Sequence, residues 1–588
     1  MQHRGQDDLS TFADENVAMG YLRLTIIGLE KTNIPIKNED GTIFVIVNGE
    51  FYDYKSIRNE LIARGHTFTT NTDSEILVHL YEDYGLDCMK YLNGEFAFLL
   101  YDKKEKCIIA GRDRFGVKPL YYAYKDGEIY FSSEIKGLIA AGIESRLDNE
   151  SFLISCAMQY TLPNKTLFKN INQLEPGILK IVSLENKLIE NTRRYWDIDF
   201  TEGNYAEQDL LNILVDSIKT RLVSDVPVCC ALSGGLDSSI VYGVANSCEK
   251  INAVCVEFEN SIFNESEIAK RTASHFGTEI HILNLNSKKV IDNFSDAIYF
   301  SEGLTINSHL VAKYLLSGLI KEKGYKVVLT GEGSDELFLG YPHFKKDLNL
   351  NYNLFEAENR ISLGIMTNTE LPNQYIGGYN DMLGYVPDFL RVKSTFGTKV
   401  IDLLKDDFKE DFKFNEIPQK LLSKMSLKKI KTYNPANASA YIWTKIVLAN
   451  YILRTLADGT EMAHTIEGRV PFLDHRLWDI AGKIPIKEKV RGTIEKSILR
   501  EISKPYITEE VYKRVKQPFI TPPLLIEQKK YLQELVLELP NIFDKEKINK
   551  LIKELYSKND VNYFSKYEAV LFFIYSFLHL VNRFKIRI

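Results

Sequence analysis

The chain has 588 residues, 45% of them hydrophobic and 26% charged, and its 73 basic and 79 acidic residues leave a net charge of −6. That balance excludes a disordered chain, which needs little apolar content and a high net charge. It also excludes a generally polybasic protein, so neither nucleic acid nor an anionic membrane is an expected partner.

At roughly 150 residues per domain the length gives a prior of about four units, and because α/β domains often run larger, two or three domains are expected. The first third is β-rich, with strands expected over 42–47, 97–101, 106–110 and 129–132. Helical spacing over 54–64 and 73–84 adds two helices, the second with Asp73 as its N-cap. This mixture predicts an α+β layered domain. A polar stretch over 185–203 sets the expected boundary, giving units of 1–196 and 197–588.

Beyond it the pattern alternates. Helices are expected over 205–222, 238–246, 267–276 and 308–322. Strands are expected over 226–232, 251–258, 280–285 and 326–330. The continuous apolar run at 226–232 suits a strand buried on both faces. Alternation of this kind predicts βαβ units and a doubly wound α/β sheet. From about Tyr341 onward helical patterns dominate, and the apolar run 569–581, too short for a bilayer span, reads as a buried terminal helix. Seven cysteines are scattered without C-x-x-C pairs or zinc-type Cys/His spacing, and no apolar signal core opens the sequence. A cytoplasmic protein with reduced thiols is expected.

Two motifs carry chemistry. Ser233-Gly234-Gly235-Leu236-Asp237-Ser238-Ser239 follows a predicted strand and opens a helix. Glycines there let backbone N–H groups approach phosphate, and the helix N-terminus adds positive potential. Asp237 would be repelled by bare phosphate, so its expected role is to hold Mg²⁺. Thr330-Gly331-Glu332-Gly333-Ser334-Asp335-Glu336 follows the fourth predicted strand of the alternating part. Ligands of open α/β sheets bind beyond the carboxyl ends of the strands, so both motifs should face one crevice. Glu332 and Asp335 bring acidic groups there for metal binding and for positioning a reacting group. In the stretch from Glu461 to His475, Arg469 and Asp474 are expected to hold the helical part onto the sheet.

Together these motifs resemble the glutamine-dependent asparagine synthetases over nearly the whole chain. The resemblance implies an N-terminal Ntn-hydrolase glutaminase domain and a C-terminal synthetase domain of the ATP-pyrophosphatase type with a helical end. It implies ATP and Mg²⁺, adenylation of the aspartate side chain, and ammonia drawn from glutamine through an internal tunnel. Pyrophosphate would lie on Ser233, Gly235, Asp237 and Ser238. Leu232 and Val256, with the backbone of Thr330 and Gly331, would surround adenosine. Glu332 would act in adenylate formation, Asp237 and Asp335 would bind metal, and Lys496 would balance charge on the α-phosphate. Asn48-Gly49-Glu50 resembles the oxyanion turn of the glutaminase, where Arg23 would pair with the glutamine carboxylate and Glu50 and Asp73 with its ammonium group. The segment from Arg112 to Tyr122 matches a long signature of that domain.

The sequence also departs from the family. The nucleophilic Cys expected tens of residues before His3-Arg4-Gly5 is absent, and Cys88 does not take its place. Without it the chain is expected to use ammonia and not glutamine, and the sheet is expected to expose an open strand edge. A start codon placed too far downstream explains a pocket otherwise complete; a real loss of glutaminase activity is the alternative. Tyr21, Gly28, Gln6 and Glu257 depart as well, leaving a related amide-forming ligase acting on another carboxylate as the alternative function. A homodimer is a further expectation from the family.

Overall fold

The structure, a computed structural model, describes residues 1–32, 34–185, 190–259, 265–348, 376–514, 524–558 and 560–588. Part of the polar stretch expected to carry the boundary and part of the helical region after Tyr341 lie outside the described residues.

The N-terminal part is built from β1 (Asp8–Ala13), β2 (Ala18–Arg23), β3 (Ile36–Lys37), β4 (Ile43–Phe51), β5 (Gly94–Asp102), β6 (Cys107–Arg112), β7 (Tyr121–Lys125), β8 (Glu128–Ser132), β9 (Ile171–Gln173), β10 (Ile178–Ser183) and β11 (Glu190–Arg194). An antiparallel six-stranded sheet runs β11-β10-β6-β5-β4-β3. Alternation along β4 and β5 decides its two faces. Val45, Val47, Phe96 and Phe98 pack with Ile76, Leu77 and Val78 of the helix Ile76–Tyr84. Phe44 and Tyr101 turn the other way, onto Val17 and Met19 of the β1–β2 hairpin. Ala97 and Ala110 meet Leu120 and Leu174, beside the three-stranded sheet β8-β7-β9. The result is a helical layer, a central sheet and a second β layer.

That second layer is split. β2 ends a two-stranded sheet and β8 ends a three-stranded one. Residues 20–24 and 130–133 of both edges line one cavity of about 510 Å³, with Met1 and Gln2 between them.

The second part carries a parallel sheet of β12 (Val228–Ala231), β13 (Asn252–Phe258), β14 (Ile280–Leu285), β15 (Val327–Leu329) and β16 (Glu467–Arg469), in the order β14-β13-β12-β15-β16. Both faces are covered: Cys229, Val254 and Val328 pack with Ile320 and Ile466, while Cys230, Ala253 and Leu329 turn into the main core. The chain leaves β12 toward β13 on one side and returns to β15 on the other, so strand order reverses between β12 and β15. Such a switch point opens a crevice at the carboxyl ends. The helices Glu207–Thr220, Leu236–Cys248, Ser266–Phe276 and His309–Glu322 match the expected ones within a few residues. Ser287–Ser301 is an additional helix, and β16 an additional strand, that periodicity did not reveal. Helix Pro435–Trp443 continues as a π helix over Thr444–Asp458. The terminal helix Val561–Phe584 buries Leu571, Phe573, Ile574 and Phe577 completely, as the apolar run predicts.

The two parts meet through buried charge. Arg4 donates to both oxygens of Asp458 at 2.8 and 2.9 Å. Arg221 donates to Glu95 at 2.8 Å, and Asn93 and Arg221 both reach Asp474. Arg469 donates to the carbonyls of Arg221 and Val223. Arg469 and Asp474 thus hold the helical end against the sheet and also against the N-terminal part. The segment from Arg112 is architectural: Asp113 accepts four backbone N–H bonds from Phe115 to Lys118, and Arg112 donates to three carbonyls.

Candidate functional site

The loop after β12 turns through Gly234 at φ 80°, a left-handed conformation that glycine adopts without Cβ strain. Gly235 then caps the helix Leu236–Cys248. Ser238 Oγ accepts from Ser233 N at 3.2 Å and donates to Gly235 O at 3.2 Å, which closes the loop on itself. The loop after β15 comes against it. A Cβ on Gly331 would lie 3.0 Å from Asp237 Cβ and 3.1 Å from Ser238 N, so the two loops approach more tightly than a side chain there would ordinarily allow. Ser334 Oγ donates to Asp237 Oδ1 at 2.8 Å. Leu232 follows β12, Val256 lies near the carboxyl end of β13, and Thr330 follows β15, its N–H donating to Arg469 O at 3.0 Å.

Lys496 completes the cluster from the far end of the chain. It is 1% exposed and lies at φ 54°, ahead of the helix Ser497–Ser503. Its Nζ donates to Asp237 Oδ1 and Oδ2 at 2.7 Å each and lies 2.6 Å from Asp335 Oδ1. A non-glycine residue in this backbone region points to a site that over-determines it. Glu495 fixes the turn through Lys345 and Arg500, each at 2.8 Å. Gly340 leaves the space: a Cβ there would fall 2.0 Å from Asp335 Oδ1 and 2.1 Å from Lys496 Cε.

Two carboxylates gripped by one buried ammonium mark a place where a cation is wanted. Their oxygens, with the neighbouring hydroxyls, are the hard donors that Mg²⁺ prefers. The residues present therefore fit a Mg²⁺–triphosphate group, provided Lys496 passes from the carboxylates to phosphate.

Glu332 pairs with Lys313 of the helix His309–Glu322. Burial acts to raise its pKa, but the Lys313 ammonium wins and holds the carboxylate below its ordinary value. Glu461 shares this pocket and, with burial dominant, is pushed up to about 8. At neutral pH the site thus holds one ionised and one protonated carboxyl. Glu336, pushed up to about 7 by burial and by Asp335, accepts from Trp443 Nε1 at 2.9 Å. Sequence reading missed Lys313, Glu461 and Trp443. Each stands alone on a helix, where no local motif separates it from an ordinary helical residue.

The candidate glutamine residues Arg23, Asn48, Gly49, Glu50 and Asp73 all line the single cavity beside β2 and β8. Gly49 lies at φ 124°, and a Cβ there would meet Glu95 O at 1.9 Å, so the position admits no side chain. Asn48 Nδ2 is buried without a hydrogen-bond partner. Asp73 does not cap its helix; its carboxylate accepts from Phe51 N at 2.7 Å, and a 3₁₀ turn over Asp73–Glu75 precedes the helix. Burial pushes Asp73 up to about 6 and, together with Asp73 and Glu467, raises Glu50 well above its ordinary value. Arg23 donates to the carbonyls of Gly28 at 2.6 Å, Glu30 at 2.7 Å and Ile27 at 3.2 Å. No cysteine is among the residues lining this cavity.

Lys118, Met462 and Glu467 line the cavity's other side. Burial lowers the Lys118 pKa, but Glu467, Asp458, Glu95 and Glu461 outweigh it and keep the ammonium charged. Lys118 and Glu461 feel each other's charge, and Glu461 also feels those of Lys313 and Glu332.

Comparison with known proteins agrees with this geometry. The asparagine synthase family model matches residues 209–577, and a glutamine amidotransferase domain model matches residues 1–196. The chain belongs to the asparagine synthase family, whose members are amide-forming ligases. It is 31% identical to amidase chyE of Penicillium rubens, covering 88% of this chain and 83% of that protein. It is 30% identical to the glutamine-hydrolyzing asparagine synthetase 1 of Bacillus subtilis, covering 88% of this chain and 82% of that one. Over 59% of this chain and 61% of the relative, it is also 30% identical to asparagine synthetase B of Escherichia coli.

Proposed function

We propose that this protein is a cytoplasmic, ATP-dependent ligase that converts aspartate to asparagine through a β-aspartyl-AMP intermediate. The observation that carries the reading is the meeting of Asp237, Asp335 and Lys496 at the sheet's switch point. The aspartate side-chain carboxylate attacks the α-phosphate of ATP; the bond to the β-phosphate breaks and pyrophosphate leaves. Ser233, Gly235 and Ser238 would hold the departing pyrophosphate, and Asp237 and Asp335 would hold Mg²⁺, which would supply neutralising charge there. Lys496 moves to the α-phosphate as charge builds there. Leu232, Val256, Thr330 and Gly331 enclose adenosine. Ammonia then attacks the acyl carbon and AMP departs. Glu332, kept ionised by Lys313, takes the ammonium proton.

Free ammonia is the proposed nitrogen source for these 588 residues, and glutamine, bound by Arg23, Asn48, Gly49, Glu50 and Asp73, is the source proposed from the family. The polar groups of Lys118 and Glu461 mark the proposed route of ammonia between the two sites. Two relatives are named amidases, so a carboxylate other than aspartate is the competing reading. A screen of carboxylates for ATP-dependent pyrophosphate release decides between them. Aspartate should be preferred, and a different preferred acid would replace this assignment while leaving the ligase chemistry in place.

A further inference from the structure

In the N-terminal part, four side chains from two loops and one helix converge on one point. They are Glu39, His66, His79 and Glu82, whose ligand atoms all lie within 4.8 Å of one another. His79 and Glu82 stand three residues apart on one face of the helix Ile76–Tyr84. His79 Nδ1 lies 3.0 Å from Glu82 Oε2 and 3.6 Å from Glu39 Oε2. His66 Nδ1 lies 3.6 Å from Glu82 Oε2 and 3.7 Å from Glu39 Oε1. A tetrahedral zinc ion with bonds of roughly 2.0–2.2 Å holds its ligands about 3.3–3.5 Å apart. The four separations straddle that value.

Both imidazoles turn the same nitrogen, Nδ1, to the centre. Their other nitrogens turn to carboxylates: His66 Nε2 to Asp83 Oδ1 at 3.0 Å, and His79 Nε2 to Glu75 Oε1 at 3.9 Å. A carboxylate hydrogen-bonded behind a ligand histidine fixes tautomer and ring orientation at metal sites, and Asp83 stands so behind His66. His79 is fully buried, and its Nε2 has no hydrogen-bond partner. The glutamates are held as well. Thr67 N donates to Glu39 Oε1 at 2.7 Å, and Asn38 Nδ2 donates to Glu82 Oε1 at 2.9 Å. Four carboxylates thus surround two imidazoles, an excess of negative charge that a dication relieves.

We propose that Glu39, His66, His79 and Glu82 bind one zinc ion in a closed, four-ligand structural site. It clamps the loops carrying Glu39 and His66 onto the helix of His79. That helix follows directly from Thr72 and Asp73, which line the candidate glutamine cavity. The site is separate from the ligase chemistry and does not rest on the proposed function.

The test uses the full chain, stripped with a chelator and titrated with zinc alone. About one zinc per chain should bind and raise the midpoint of thermal unfolding. Exposed Glu39→Gln and half-exposed His66→Ala, with far-ultraviolet circular dichroism unchanged, should each lose that binding and the thermal shift. Asp83→Asn, which changes the carboxylate behind His66 Nε2 and its exposed pair with Arg64, should weaken binding about 10- to 100-fold without abolishing it. Failure of the stripped wild type to bind zinc would overturn the proposal. So would equal zinc affinity in wild type, Glu39→Gln and His66→Ala, since protonated histidines alone would then satisfy the carboxylates.

Discussion

Lys496 Nζ sits 2.7 Å from each carboxylate oxygen of Asp237, although the two residues are 259 positions apart. The same ammonium lies 2.6 Å from Asp335 Oδ1. One lysine therefore ties both phosphate-side loops to the helical end of the chain. When metal and triphosphate bind, its charge becomes available to the reacting phosphate. Lys496→Ala should reduce aspartate-dependent ATP–pyrophosphate exchange on the order of 100- to 1000-fold, as expected for loss of a preorganised charge. Lys496→Arg should not restore it, because a planar guanidinium cannot replace a compact ammonium between two carboxylates. A loss below about tenfold, roughly 1.4 kcal/mol, would place Lys496 outside the reaction.

Asp237→Ala and Asp335→Ala should also abolish exchange, each removing a metal ligand. Both should shift the magnesium dependence of the residual activity upward. An unchanged magnesium requirement in either variant would remove that residue from the metal site.

Glu332 and Lys313 form a buried ion pair, and their variants should separate chemistry from binding. Glu332→Gln keeps the size and loses the charge. It should depress carboxylate-dependent exchange strongly while ATP affinity, set by the serine-glycine loop and the adenosine pocket, changes little. Lys313→Met should have the same signature, because it leaves Glu332 buried without its partner and favours the protonated acid. Normal exchange with weakened ATP binding would reverse the assignment.

Glu461 gives a pH signature. Its pKa is 4.5 in the unperturbed state and about 8 in the folded protein, with burial as the first cause. Between these values the native state holds a proton that the unfolded chain has lost. Stability contributed by this group is present below the unfolded value and is lost as pH rises through the folded one. The slope can reach about 1.4 kcal/mol per pH unit. Glu461→Gln should flatten the fall in urea midpoint between mildly acidic and alkaline pH. An unaltered slope would show that Glu461 is ionised in the native protein.

The meeting of the two loops was legible in the sequence because each loop is contiguous. Ser233 to Ser239 and Thr330 to Glu336 each supply strand end, glycine and helix start in one stretch, so the crevice could be located before any coordinates. The strands β12 to β15 were legible for a related reason: fully buried parallel strands are continuous apolar runs. β16 was not, since Glu467-Gly468-Arg469 is short and polar, and its strand character comes only from pairing with β15. The N-cap role expected for Asp73 failed because tertiary contact with Phe51 N outcompetes the local cap. Lys313, Glu461 and the Glu39–His66–His79–Glu82 cluster escaped for one physical cause. Their partners are supplied by the fold across large sequence gaps, and each residue alone resembles a solvated helical or loop position.

The most direct measurement supplies the purified 588-residue chain with aspartate, ATP and Mg²⁺, and follows asparagine, AMP and pyrophosphate by mass spectrometry. Ammonium chloride or glutamine serves as the nitrogen source in parallel reactions. With ammonium, the three products should form in equal amounts; with glutamine, asparagine should remain at the level of the nitrogen-free control. Absence of aspartate-dependent pyrophosphate release with ammonium, or asparagine formed from glutamine as fast as from ammonium, would contradict the account.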